Sequence, residues 1–145
     1  MRETLVQLSF SVHDILARVA ARYDVSVTQA RLLGSLRDRE PAMRELGDHL
    51  ALEKSSLSGL IDRAERRGLV ARTTGHPDGR AVHVRLTEQG AGLAARFADA
   101  VYAELETLLA PLSEREQRRL LELIGAILPT QSSPLAQPAV AVAIR

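Results

Sequence analysis

The stretch MRELGDHLALEKSSLSGLIDRAERRGLVARTTGHPDGRAVHVRLTEQG, residues 43–90, decides the fold. Met43, Leu46 and Leu50 share one side of a short helix over about 42–49. After a turn at about 50–53, a longer helix runs to Arg67 with Leu57, Leu60, Ile61 and Ala64 on its inner face, three and four residues apart. Gly68 follows, where a left-handed residue ends a helix. The apolar period then shortens to two. Val70, Arg72 and Thr74 alternate with Ala71 and Thr73, and after residues 75–80 Val82, Val84 and Leu86 alternate with His83 and Arg85. Two short strands around a Pro-Asp-Gly turn make a β-hairpin. A short helix, a tight turn and a second helix form a helix-turn-helix, and the hairpin after it is a wing.

Upstream, Leu5, Leu8, Val12, Ile15, Leu16, Val19 and Tyr23 recur at helical spacing, which predicts an apolar-faced helix over about 3–23. It packs either on its own domain or on a partner chain. Asp24 and Ser26 mark a break. Thr28 is placed to cap a second helix to about Arg37, with Ala30, Leu33 and Leu36 inward. Downstream, Thr87 caps a long helix over about 88–109, with Leu93, Phe97, Val101, Leu105 and Leu108 inward. Pro111 breaks it, Ser113 with Glu116 forms a capping box, and a last helix over about 114–128 buries Leu120, Ile124 and Ile127, with Leu123 beside them. Residues 1–129 thus read as one domain. The winged helix-turn-helix occupies about 28–87, and the helices at about 3–23 and 88–128 flank it. The stretch 130–145 is a Pro- and Ala-rich tail that reads as a flexible extension, with docking through VAVAI (140–144) the other reading. The fold class is mainly α with a small β-hairpin wing: a winged helix-turn-helix lobe plus a helical lobe built from both chain ends.

Composition removes several classes. The 145 residues contain no cysteine, which excludes a disulfide scaffold, a thiolate metal site, a Cys nucleophile and a thiol redox switch. Aromatics are 3% with no Trp, so the core is built from Leu, Val, Ile and Ala. No apolar run is long enough to span a bilayer, and the N-terminus, with Glu3 and Gln7 in it, lacks a signal-peptide pattern. A cytoplasmic protein without membrane contact is expected. The net charge is only +1, yet residues 63–85 hold six arginines against two acids. A local basic patch on a near-neutral chain is the footprint of a DNA-reading module, or simply a solvated face.

The stretch 43–90 resembles the DNA-binding lobe of the MarR family of regulators. The likeness rests on Leu46 and Leu50, Lys54-Ser55-Ser56, Leu60-Ile61-Asp62-Arg63, Gly68-Leu69-Val70, Asp78 and Arg80, and Val84-Arg85-Leu86-Thr87. With the outer helices included it covers about 125 residues and stops before the tail. The resemblance implies a homodimeric regulator of transcription, a repressor, that binds duplex DNA at an inverted repeat. It implies no catalysis and no cofactor. The helix opening is small and polar, so the backbone can enter the major groove and hydroxyls can reach base edges or phosphates. Lys54, Ser55, Ser56, Ser58 and Gly59 are therefore candidate contacts, with helix capping the other reading of Ser55 and Ser56. Arg63, Arg66 and Arg72, with Arg67, are candidate phosphate partners. Arg80 is the wing arginine that the family sends into the minor groove, and Asp78 either braces it or belongs to the turn. Asp62 is free to pair with a wing arginine.

Leu5, Leu8, Val12 and Ile15 from the first helix and Leu120, Ile124 and Ile127 from the last are the expected dimer seam. The family's crevice for small aromatic or anionic effectors points to His13, Arg18 and Tyr23, with Arg22 close by; packing at a boundary is the other reading of His13 and Tyr23. Gly47 inside the short helix departs from the pattern and weakens it by up to about 1 kcal/mol relative to Ala. The wing is short, and the first helix starts almost at residue 1, which leaves no room for an N-terminal arm.

Rival readings have less behind them. No nucleophile-elbow, phosphate-loop or dinucleotide motif is present. A metal-responsive regulator of the same fold would draw on His13, His49, His76 and His83, but no two of these are spaced as a ligand pair on one helix. His76 and His83 flank the wing, where solvent or phosphate is the expected surrounding. A winged-helix module for protein contacts would need an apolar recognition face, and here that face is serine and arginine.

Overall fold

A computed structural model of the chain describes residues 1–74, 79 and 81–128. Residues 75–78 and 80, which include Asp78, Arg80 and the expected hairpin turn, and the tail from 129 to 145 lie outside the described residues. The elements run α1 (Arg2–Arg22), α2 (Val27–Ser35), α3 (Met43–Leu50), α4 (Lys54–Arg66), β1 (Val70–Thr73), β2 (His83–Leu86), α5 (Glu88–Leu109) and α6 (Glu114–Ile127). Among the described residues no helix is long and apolar enough to cross a membrane.

Local chemistry sets the boundaries. The cap of α2 is Ser26, not Thr28: its side chain accepts from the Gln29 amide at 3.1 Å, and the Gln29 side chain accepts the Ser26 amide at 2.9 Å. This reciprocal box satisfies two orphan donors at once, which a lone Thr28 does not. Thr87 caps α5 and Ser113 caps α6 with Glu116, as the sequence suggests. Between α3 and α4 the chain turns on Ala51 in the left-handed region, at φ 54°. Gly47 lies against this turn. A Cβ at Gly47 would stand 3.3 Å from the Leu52 carbonyl oxygen and 3.4 Å from Leu57 Cδ2. The helix-weakening glycine thus spares the turn a close contact with the Leu52 carbonyl.

The strands pair antiparallel, Val70 with Leu86 and Arg72 with Val84. The chain before α3 adds to the other edge of β2: the Met43 amide donates to the Val82 carbonyl at 2.9 Å and the Val84 amide to the Pro41 carbonyl at 3.1 Å. This third edge has no strand pattern in the sequence. Its presence corrects the expectation for His83, which is buried rather than solvent-facing.

Two apolar clusters result. The larger unites α2, α3, α4, the hairpin and the start of α5 around Leu32, Leu33, Leu46, Ile61, Val70 and Val84. The smaller consists of Ile15 and Val19 from α1 and Val101 from α5, with Leu16, Tyr23, Phe97, Ala100 and Leu105 against it. Of the expected inward face of α5, Leu108 is exposed. No residue of α6 is buried within the chain, contrary to the expectation for that helix: Leu120 and Ile124 are half-buried, and Leu123 and Ile127 face outward.

Candidate nucleic-acid interface

The inner face of α4 (Leu57, Leu60, Ile61, Ala64) is locked into the larger cluster, so its remaining residues are presented outward. The N-cap is Glu53, which makes no side-chain cap hydrogen bond. Ser55 and Ser56 are therefore not capping residues. Among the described residues the hydroxyls of Ser55, Ser56 and Ser58 have no hydrogen-bond partner and remain available. Ser55 and Ser58, with Glu53 and Lys54, line a shallow open depression at the helix start. Gly59 sits one turn before Arg63, and a Cβ there would lie 3.4 Å from Arg63 Nη1, an ordinary contact. Lys54, Arg63 and Arg66 are exposed and make no ion pair among the described residues. Three free cations and three free hydroxyls thus share one helix surface.

Arg72 is different. From β1 its guanidinium reaches back to α4, where it pairs with Asp62 at 2.5 Å and with Glu65, and its backbone amide donates to Glu65 Oε1 at 3.2 Å. The Asp62 hydrogen bond, with Glu65 adding to it, holds the guanidinium even more firmly protonated than usual. The expected phosphate partner is therefore engaged within the chain, and Asp62 does pair with an arginine at the base of the wing. Arg67 is also committed: it donates to the Asp24 carbonyl at 2.5 Å, with the Asp24 carboxylate at 3.8 Å, and so ties the end of α4 to the α1–α2 turn.

The joint between the lobes is Thr87. Its hydroxyl donates to the Gly68 carbonyl at 2.5 Å and accepts the Gly90 amide at 3.0 Å, while its own amide donates to the Leu69 carbonyl at 3.1 Å. Gly68 has the expected positive φ of 70°. A Cβ at Gly90 would fall 1.9 Å from the Leu69 carbonyl oxygen, so α5 starts flush against the end of the recognition unit.

Of the crevice candidates, His13 is exposed. Tyr23 packs edge-on against Phe97 and donates its hydroxyl to the Arg96 carbonyl at 3.1 Å. Arg18 pairs with Glu104 at 3.1 Å, and Arg22 pairs with the same carboxylate. The hydrogen bond from Arg22, then that from Arg18, holds the Glu104 carboxyl below its usual range. Glu104 was not among the expected site residues. Its partners lie 86 and 82 residues away, so no local spacing marks it. Among the described residues no group of His, Asp and Glu is arranged to hold a metal ion.

Of the seam candidates, Leu5, Leu8 and Ile127 are exposed, Val12, Leu120 and Ile124 are half-buried, and Ile15 is buried in the chain's own smaller cluster.

These features define a winged helix-turn-helix protein with an added helical lobe. A model of the MarR family matches residues 23–81. The HTH-type transcriptional regulator PecS of Dickeya dadantii (strain 3937) is 27% identical over 128 residues, 86% of this chain and 77% of that protein. The solved structure of wild-type apo MarR from E. coli superposes with a TM-score of 0.75 at 24% identity, covering 89% of this chain and 97% of that one. NadR, solved in complex with 4-hydroxyphenylacetate, superposes with a TM-score of 0.69 at 21% identity, covering 86% and 89%. Over these spans the chain is similar to DNA-binding transcription regulators of the MarR family.

Proposed function

We propose that this chain acts as a homodimeric repressor on an inverted-repeat operator and is released from it by a small aromatic or anionic effector. The observation that carries the reading is the outward face of α4, where Ser55, Ser56 and Ser58 and the unpaired Lys54, Arg63 and Arg66 leave base- and phosphate-binding groups unused within the chain. Arg80, outside the described residues, is the sequence's candidate for the minor groove. Exposed Leu5, Leu8, Leu121, Leu123 and Ile127 at the two chain ends support pairing with a second copy. A two-fold dimer presents two recognition helices to half-sites about one helical turn, roughly 10 bp, apart. The effector reading draws on His13, Arg18 and Tyr23 and on the ligand in NadR. Since Glu104 already holds Arg18 and Arg22, an anionic effector has to displace it.

The test is selection of a duplex from a random pool, footprinting of that duplex, and a binding series over salt concentration. A palindromic footprint is expected. Arg80→Ala and Arg66→Ala are each expected to lower affinity on all sequences and to flatten the salt slope by about one ion per subunit, whereas Ser58→Ala changes sequence preference more than slope. Protection of one asymmetric half-site, or slopes that match wild type in both arginine variants, would overturn the reading.

A further inference from the structure

Two acidic side chains sit on the helix that the proposed function sends into the groove. Asp62 lies one turn after Ser58 and one turn before Arg66, within the outward stripe, and Glu65 lies beside it. Both carboxylates are half exposed, at 53% and 41%, so burial does not hide their charge from a neighbouring polyanion. A like charge set against phosphate opposes association. What distinguishes them from the other exposed acids is that one guanidinium covers both. Arg72 has its two terminal nitrogens on different carboxylates, and its backbone amide fixes Glu65 as well. With side-chain exposure of 30%, Arg72 is the least exposed member of the trio. The planar guanidinium fork can bridge two carboxylates in this way, while a lysine ammonium acts as a single point charge.

We infer that Arg72 supports DNA binding without contacting DNA, by masking the charges of Asp62 and Glu65 on the recognition surface. It is a positioning residue: it keeps the acids turned toward the wing base and leaves the field of Arg63 and Arg66 uncancelled. The inference rests on the reading of α4 as the DNA-facing helix and adds a role that the sequence alone had given to direct phosphate contact.

Binding of the full-length protein to the duplex it selects is followed by fluorescence anisotropy at several salt concentrations, with thermal melts and sedimentation to verify fold and oligomeric state. Arg72→Ala is expected to weaken binding by about ten- to a hundredfold, since two unmasked acids per subunit then face phosphate. The triple variant Arg72→Ala with Asp62→Asn and Glu65→Gln is expected to regain most of the wild-type affinity, although it lacks the whole cluster. Arg72→Lys should fall between wild type and alanine. Unchanged binding in Arg72→Ala overturns the inference. So does a loss that the triple variant fails to repair. A flattened salt slope in that case would make Arg72 a phosphate contact, and an unchanged slope would make it a structural brace. Should Arg72→Ala not fold, Asp62→Asn with Glu65→Gln in the presence of Arg72 decides the matter: masking predicts affinity equal to or above wild type, and a drop sinks it. Arg66→Ala serves as the control. If it too binds like wild type, the reading of α4 fails first; if it binds weakly while Arg72→Ala does not, only the masking role falls.

Discussion

The winged lobe and the helical lobe of this chain are built from the same aliphatic alphabet but differ in how far they are finished. In the winged lobe every element contributes to one continuous cluster, and Leu32, Leu46, Ile61 and Val84 are fully enclosed. The helical lobe's own cluster has just Ile15, Val19 and Val101 buried among the described residues, while Leu5, Val6, Leu8, Phe10, Leu121, Leu123 and Ile127 remain on the surface. Large apolar side chains left exposed in number mark a surface that another molecule covers. The difference teaches that the winged lobe is closed within the chain, whereas the open faces of the helical lobe are those that the proposed pairing with a second copy would cover.

The largest effect should therefore come from the unfinished lobe. Leu8→Asp combined with Val12→Asp places charges on the face of α1 proposed for the partner copy. Sedimentation should report monomers. Affinity for an inverted repeat should fall by about 10²–10⁴-fold, because the second half-site is no longer reached as a tethered event. Circular dichroism should retain the helical signal, since both positions lie outside the larger cluster. A stable dimer with unchanged affinity would remove α1 from the seam.

A matched pair of truncations separates the lobes further. Leu46, with no exposed surface, packs where α3 meets α4, and Leu46→Ala should cost about 2–5 kcal/mol through lost transfer energy and a residual cavity. Leu123 on α6 is 46% exposed in the single chain. Leu123→Ala should then leave the stability of the isolated chain nearly unchanged and act only through dimer affinity. Urea unfolding at high and low protein concentration distinguishes the two: the Leu46 loss is independent of concentration, and the Leu123 loss is not. Equal, concentration-independent losses would contradict the contrast between the lobes.

Much of the winged lobe could be read from the sequence because its signals are local. Leu57, Leu60, Ile61 and Ala64 mark the inner face of α4, Gly68 its end, and Thr87 the start of α5, and all behave as their spacing implies. What escaped is what depends on distant chain segments. His83 looks like an outward residue of an alternating strand, and it is buried because Pro41–Met43 lie along the second edge of β2. Arg72 reads as one more free cation until α4 and β1 are set side by side, and Glu104 has no signal without the fold that brings α1 to α5. In the last helix the apolar stripe was legible, but a stripe does not say whether its own chain or a second one covers it. Ile15 and Ile127 lie on the same expected seam, and only Ile15 is covered within the chain.

The smallest effect concerns the connections, and here the two lobes should respond with opposite sign to one chemical change. The α3–α4 turn passes through Ala51 at φ 54° and ψ 44°, whereas the α5–α6 turn passes through Ala110 at φ −54° and ψ −29°. An L-residue with a Cβ in the left-handed region sits about 1–2 kcal/mol above its right-handed state. Glycine removes that penalty but loses about 0.4–1 kcal/mol through the greater freedom of the unfolded chain. At Ala51 the first term exceeds the second, so Ala51→Gly should stabilise by about 0.5–1 kcal/mol, a rise of roughly 1–4 °C in Tm for a chain of this size. At Ala110 there is no strain to relieve, and Ala110→Gly should lower Tm by a similar amount. Melting curves of the two variants, taken at one protein concentration so that dimerisation contributes equally, measure the difference. A fall in Tm for Ala51→Gly would mean that the left-handed turn of the helix-turn-helix carries no strain.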